Sequence, residues 1–304
     1  MSTRMTADRG ASAPGRQGRE RVADVNDVHL CLQSFGDDAD AALLLIAGAT
    51  WSMDWWDDEL CRRLAAGGRH VLRYDQRDTG RSSHDPAGAP TYTGADLVRD
   101  AVGILDHEGI DSAHVMGLSS GGGVAQHLAL TAPHRVASLV LISTSPAVPA
   151  ASGELRLPPA SSAVRETFDD PPPEPDWSDP DDVARYVVDA ERPYAGSLGF
   201  DEARVREVAR RVVERTLDVR ASLTNFWLAA DGEPVPGTLA DIAAPTLILH
   251  GTADPCFPYE HAEALAREIP HTTLVPLEGG GHEMPAAVFH DIVVEAVLAH
   301  TRRD

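Results

Sequence analysis

A serine hydroxyl is a poor nucleophile at neutral pH unless a base takes its proton and a third group orients that base. Three residues of this sequence have the types and settings for that chemistry. Ser119 lies in Gly117-Leu118-Ser119-Ser120-Gly121, after the apolar run Ala113-His114-Val115-Met116 and before a helix-like segment, residues 122–130. Strand, sharp turn and helix in that order hold a nucleophilic hydroxyl exposed above a sheet, and the flanking glycines let turn and helix approach closely. Asp254 follows the strand-like residues 246–249 in His250-Gly251-Thr252-Ala253-Asp254-Pro255. His282 follows the strand-like residues 273–277 in Gly279-Gly280-Gly281-His282, a glycine loop read as mobile. The chain order Ser, Asp, His is one in which such a trio occurs.

In this reading His282 is general base toward Ser119 and then general acid toward the leaving alcohol, while Asp254 fixes the imidazole tautomer. Glu278 and Glu283 are nearby carboxylates without a comparable strand-end position before the histidine. Acyl transfer also needs donors for the developing oxyanion. The Ser120 N–H, next to the nucleophile, is one, and the Ala49 N–H in Gly48-Ala49-Thr50 is the second. Trp51, close to Ala49, is the expected substrate contact. Trp55, Trp56, Trp177, Phe200, Phe226 and Trp227 could line a large aromatic pocket, although such residues more often belong to a core. Arg77 and Arg81, in the turn 75–82, could bind an anion, but a turn held by internal Asp–Arg pairs is the preferred reading. The spacing of His127, His250 and His261 suggests no metal site, and no cofactor is expected.

These residues need a scaffold that delivers several strand ends to one edge. Residues 42–47, 70–74, 114–116, 139–142 and 246–249 are short, mostly unbroken apolar runs of the kind buried parallel strands show. Helix-length segments, 57–66, 94–108, 121–131, 259–269 and 286–301, lie between or after them. Residues 22–34 suggest an opening antiparallel hairpin around Asn26-Asp27. The alternation predicts an α/β layer fold with a mostly parallel sheet. It breaks over residues 146–242, which begin rich in Pro, Ser and Asp and then regain helical periodicity at 183–190 and 202–230. That stretch reads as a helical lid inserted between two strands, with the core formed by 22–145 and 243–304. Residues 1–21, arginine-rich and without an apolar segment, read as a disordered tail and not a secretory signal.

Composition sets the outer bounds. A chain of 304 residues with 43% hydrophobic content can bury a substantial core. No apolar stretch approaches the about 18 residues a membrane span requires. The three cysteines, Cys31, Cys61 and Cys256, are widely spaced and form no paired motif, which fits a reducing cytoplasm. A net charge of −21 argues against nucleic acid as a partner. It is compatible with a cationic substrate, such as one bearing an amino sugar, although solubility is the plainer explanation. Oligomeric state is left open.

With Ser119, Asp254, His282, the Gly48-Ala49 loop and the turn 75–82 in place, the chain resembles the α/β-hydrolase superfamily from about residue 21 to 300. Leu44-Leu45-Ile46-Ala47-Gly48-Ala49, Arg73-Tyr74-Asp75-Gln76-Arg77-Asp78-Thr79-Gly80-Arg81-Ser82 and the Ser119 turn resemble the anthracycline methyl esterases and the esterases that hydrolyse macrolide lactones. The resemblance implies an α/β-hydrolase fold and a cofactor-free serine esterase acting on a bulky glycosylated polyketide ester. A macrolide lactone is the first expected substrate and an anthracycline methyl ester the second. Ser120 departs from the methionine of the methyl esterases, a change that a backbone donor tolerates. Carbon–carbon bond hydrolases and cofactor-free perhydrolases share the same trio, and a non-catalytic ligand-binding protein could keep the pocket.

Overall fold

A computed structural model describes residues 18–302. The chain opens with the expected hairpin, β1 (Arg21–Val25) and β2 (Val28–Phe35), whose turn residues Asn26 and Asp27 both take positive φ, 48° and 65°. Asn and Asp tolerate that conformation better than other side chains, and the resulting turn matches the twist of the strands. Of the tail expected over 1–21, residues 1–17 lie outside the described residues. Residues 18–21 correct that boundary, because the Gly18 N–H bonds the Ser34 carbonyl at 2.9 Å and Arg21 already pairs with Leu32.

The elements then alternate as β3 (Ala41–Ile46), α1 (Asp58–Ala66), β4 (Arg69–Tyr74), α2 (Gly94–His107), β5 (Ala113–Leu118), α3 (Ser120–Thr131) and β6 (Val136–Ile142). After the insertion come β7 (Thr246–Gly251), α8 (Glu260–Glu268), β8 (Thr272–Leu277) and α9 (His290–His300). The eight strands form one sheet in the order β1-β2-β4-β3-β5-β6-β7-β8. Pairings are parallel from β4 onward, while β2 runs antiparallel to both β1 and β4. The central strands are apolar on both faces because both are covered. Leu44, Ile46, Val115 and Leu139 pack with Ala101 and Ile104 of α2 and Leu128 of α3, whereas Leu43, Leu45, Met116 and Val140 pack with Leu60 and Leu64 of α1 and Val293 of α9.

Between β6 and β7 the insertion carries α4 (Ser162–Asp169), α5 (Pro180–Glu191), α6 (Glu202–Arg215) and α7 (Val219–Thr224). The periodic stretch expected over 202–230 divides at Thr216-Leu217-Asp218, where the Asp218 carboxylate accepts the Ala221 N–H at 2.9 Å and caps a new helix. Helix α4, capped by Ser161, falls inside the Pro- and Ser-rich stretch and buries only Val164. The insertion touches the loops leaving four strands at their carboxyl ends. Ser222 Oγ donates to the Thr50 carbonyl after β3 at 3.3 Å, and Arg215 pairs with Asp75 after β4. The Ser161 N–H reaches the Pro255 carbonyl after β7, and the His282 N–H after β8 reaches the Tyr194 carbonyl, both at 2.8 Å.

Candidate active site

Ser119 occupies the turn between β5 and α3 with φ 53° and ψ −120°. A non-glycine residue in that region costs about 1–3 kcal/mol, and the surroundings must hold it there. Its N–H donates to the Ile142 carbonyl at 3.0 Å, and its carbonyl accepts from the Gly122 N–H at 2.9 Å and from Thr144 Oγ1 at 2.7 Å. The flanking glycines are sterically required. A Cβ at Gly117 would lie 2.2 Å from the Gly121 carbonyl oxygen, and one at Gly121 would lie 2.4 Å from the carbonyl oxygen of Ile46.

The structure brings the three expected side chains together. Ser119 Oγ is 2.8 Å from His282 Nε2, and His282 Nδ1 is 2.9 Å from Asp254 Oδ2. The other Asp254 oxygen accepts the N–H groups of Cys256 and Phe257, each at 2.8 Å. His250 stands behind this carboxylate, 3.4 Å from Oδ2, with its Nε2 2.7 Å from the Phe257 carbonyl. Burial pushes His250 below the ordinary histidine range, so the ring is neutral, and because a carbonyl only accepts, Nε2 carries the proton. With Asp254 accepting from Nδ1, His282 turns its Nε2 lone pair toward the Ser119 hydroxyl. Glu278 instead accepts from Thr252, and neither it nor Glu283 hydrogen-bonds His282.

Of the glycines before His282, Gly279 takes φ 76° and Gly281 packs closely against the insertion. A Cβ at Gly281 would lie 2.2 Å from the Gly196 nitrogen and 2.4 Å from the Tyr194 carbonyl oxygen, so the loop is threaded against the insertion. Tyr194 and Phe257 flank the imidazole, with ring centroids 5.8 Å and 5.2 Å away. Tyr194 carries no sequence signal of this role, since it sits in a short turn far from the trio in the chain.

The Ser120 N–H begins α3, where no carbonyl four residues back lies within the helix. Its Oγ is buried with no hydrogen-bond partner among the described residues. The loop carrying Ala49 runs beside Ser119: a Cβ at Gly48 would stand 3.6 Å from Ser119 Cβ. Thr50 takes φ 62°, the Trp51 N–H closes on the Gly48 carbonyl at 3.3 Å, and Gln76 Nε2 holds the Ala47 carbonyl at 3.2 Å. Both Ala49 and Ser120 therefore border the Ser119 turn.

Trp51 is only 7% exposed; its indole stacks on Trp55 at 4.5 Å and donates its N–H to Glu191 of α5 at 2.9 Å. Trp55 and Trp56 belong to the core, and Trp177 bonds Glu174 on the outer side of the insertion. Of the residues expected to line an aromatic pocket, Phe226 borders a small cavity with Thr50 and Gln76, and Phe200 borders another with Trp55 and Glu191. The turn after β4 is held by ion pairs, but the partners lie outside it, which corrects the expected internal pairing. Arg77 binds Asp100 at 2.6 Å, Arg81 binds Glu20 at 2.8 Å, and Asp75 is met by Arg215. Neither Arg77 nor Arg81 is a free anion site.

A strained serine turn after the fifth strand, an aspartate after the seventh and a histidine after the eighth, hydrogen-bonded in series on one mostly parallel sheet, are the arrangement of the α/β-hydrolase fold family. The chain belongs to it: the family's sequence profile matches residues 41–285. Within that family the chain is 32% identical over 299 residues to the rhodomycin D methylesterase DnrP of Streptomyces peucetius, covering 93% of this chain and 98% of that one. It is 33% identical over 271 residues to the putative carbamate hydrolase RutD of Variovorax paradoxus (strain S110), covering 82% and 88%. A solved hydrolase from Pseudomonas aeruginosa PA01 superposes with a TM-score of 0.71 at 27% identity, over 94% of this chain and 99% of that one. No helix among the described residues is long and apolar enough to cross a membrane.

Proposed function

We propose that the protein is a serine carboxylic-ester hydrolase. The observation that carries this reading is the hydrogen-bonded chain from Ser119 Oγ through His282 to Asp254, with spacings of 2.8 Å and 2.9 Å. His282 Nε2 takes the hydroxyl proton as Ser119 Oγ attacks the ester carbonyl, and the imidazolium is stabilised by Asp254. The N–H groups of Ser120 and Ala49 receive the oxyanion. The imidazolium then protonates the departing alkoxide, leaving an acyl-serine and an alcohol. Water, deprotonated by His282, adds to the acyl carbon, and collapse returns the Ser119 hydroxyl and releases the acid. No cofactor enters any step.

The insertion acts as a lid over this chemistry, and Trp51 offers the substrate the small area it leaves exposed. Similarity to a rhodomycin D methylesterase over 93% of the chain favours a methyl ester of a bulky anthracycline-type polyketide over the macrolide lactone as first substrate. A charge of −21 suits an amino-sugar substituent, and three unpaired cysteines suit a cytoplasmic enzyme. The test is labelling of Ser119 by a fluorophosphonate, followed by mass spectrometry of anthracyclines and macrolides incubated with the enzyme. Release of methanol is expected, and Ser119→Ala should abolish both labelling and turnover while the fold persists. Addition of one water without fragmentation would move the assignment to a lactone. An unlabelled serine with no turnover would overturn the reading.

A further inference from the structure

Glu191 is a carboxyl at the end of α5 that the reaction scheme leaves unused. Among the described residues it makes no ion pair: the neighbouring Arg192 is taken by Asp189 and Glu202, and Arg204, across a small cavity, bonds the Met284 carbonyl at 3.4 Å. Its hydrogen bond is with Trp51 Nε1, at 2.9 Å. A partly buried carboxyl without a cation is costly to keep unless a hydrogen bond compensates it, and here Trp51 supplies that bond. Trp51 follows Ala49 by two positions. Its N–H closes the turn onto the Gly48 carbonyl, and its indole packs over Gly48, 3.5 Å from where a Cβ would stand there. Ser222, also in the insertion, bonds the Thr50 carbonyl of the same loop at 3.3 Å.

We propose that Glu191 is a positioning residue: by holding the Trp51 indole it sets the loop that carries Ala49, so the oxyanion donors are aligned only when α5 is seated on the sheet. This rests on the esterase reading above. The titratable and charged groups around Glu191 are His282, Glu283 and, across the small cavity, Arg204, and burial pushes the Glu191 carboxyl up to about 7. The Trp51 environment therefore changes with pH near neutrality.

The experiment compares wild type, Glu191→Gln, Glu191→Leu, Trp51→Phe and the Glu191→Leu/Trp51→Phe double variant. Two rates are read: fluorophosphonate labelling of Ser119, and kcat and KM on a p-nitrophenyl ester. Misplacing an oxyanion donor by about 1 Å costs up to about 100-fold, so Glu191→Leu should lower kcat and the labelling rate by about 10- to 100-fold with KM nearly unchanged. Glu191→Gln keeps an acceptor and should retain most activity, and the double variant should be no worse than the poorer single one. Tryptophan emission should titrate near pH 7 in wild type and lose that step in Glu191→Gln and Trp51→Phe. A labelled wild type with an equally fast Glu191→Leu, or multiplicative losses in the double variant, would overturn the positioning role alone. A wild type that is not labelled would remove the esterase reading and this inference together.

Discussion

Arg215, on α6 of the insertion, and Asp75, at the carboxyl end of β4, form a two-point ion pair, with Arg215 also 2.8 Å from Asp54. Asp75 is fully buried and accepts the N–H groups of Met53 and Arg81 as well, so one carboxylate joins the insertion, the loop after β3 and the turn after β4. Burial pushes Asp75 above the usual carboxylate range, against the pull of Arg215. Removing one partner of such a pair strands a buried charge, at a cost of about 3–5 kcal/mol. Arg215→Met should lose stability of that order in urea denaturation, and adding Asp75→Asn should recover part of it. Equal stability of Arg215→Met and wild type would contradict this account.

Gly121→Ala tests the packing of the nucleophile turn. The added methyl would stand 2.4 Å and 2.5 Å from the carbonyl oxygens of Ile46 and Ala47, backbone atoms that cannot rotate away. A loss of about 2 kcal/mol or more is expected, together with slower fluorophosphonate labelling, because the shifted turn carries Ser119 with it. The measurement is denaturation alongside the labelling rate.

Asp254→Asn keeps the size of the side chain but replaces the oxygen facing His282 Nδ1 with a group that can donate. The imidazole then favours the tautomer with its proton on Nε2, where the lone pair for Ser119 is needed. The expected fall in kcat is about 10⁴-fold, read with the ester that wild type turns over, with residual rate from the oxyanion donors. A variant within tenfold of wild type would show that another group orients His282.

Glu191 also makes a thermodynamic prediction. Its carboxyl is raised to about 7 in the fold, from an ordinary 4.5, so between these values the folded chain binds more protons than the unfolded one. Its contribution therefore destabilises the fold as pH rises through that window, by about 1–3 kcal/mol once both states are ionised. Glu191→Gln should be more stable than wild type at pH 8, with the difference shrinking toward pH 5. Urea denaturation at the two pH values checks the sign.

What the sequence disclosed follows from range. The turn at Ser119 and the buried strands are local matters of glycine placement and apolar runs. Asp254 and His282 were findable because each comes a few residues after a strand-like run. The ties that join the insertion to the sheet have no such local mark. Trp51 and Glu191 are 140 positions apart, as are Asp75 and Arg215, and nothing local in the sequence links the two members of either pair. Helix α4 was hidden for another reason: with Val164 as its only buried residue it lacks an apolar stripe to read.

The unequal tightness of the molecule bears on how it can diverge. At Gly117 and Gly121 the obstacle to a side chain is backbone, which no second substitution can trim away. The ties made by Glu191, Ser222 and Arg215 are side chains, which a compensating substitution at the partner can replace. The Ser119 turn is thus fixed by backbone packing, whereas the contacts made by residues 146–242 are adjustable. A laboratory selection for a new ester should gather its accepted changes within residues 146–242 and leave both glycines untouched.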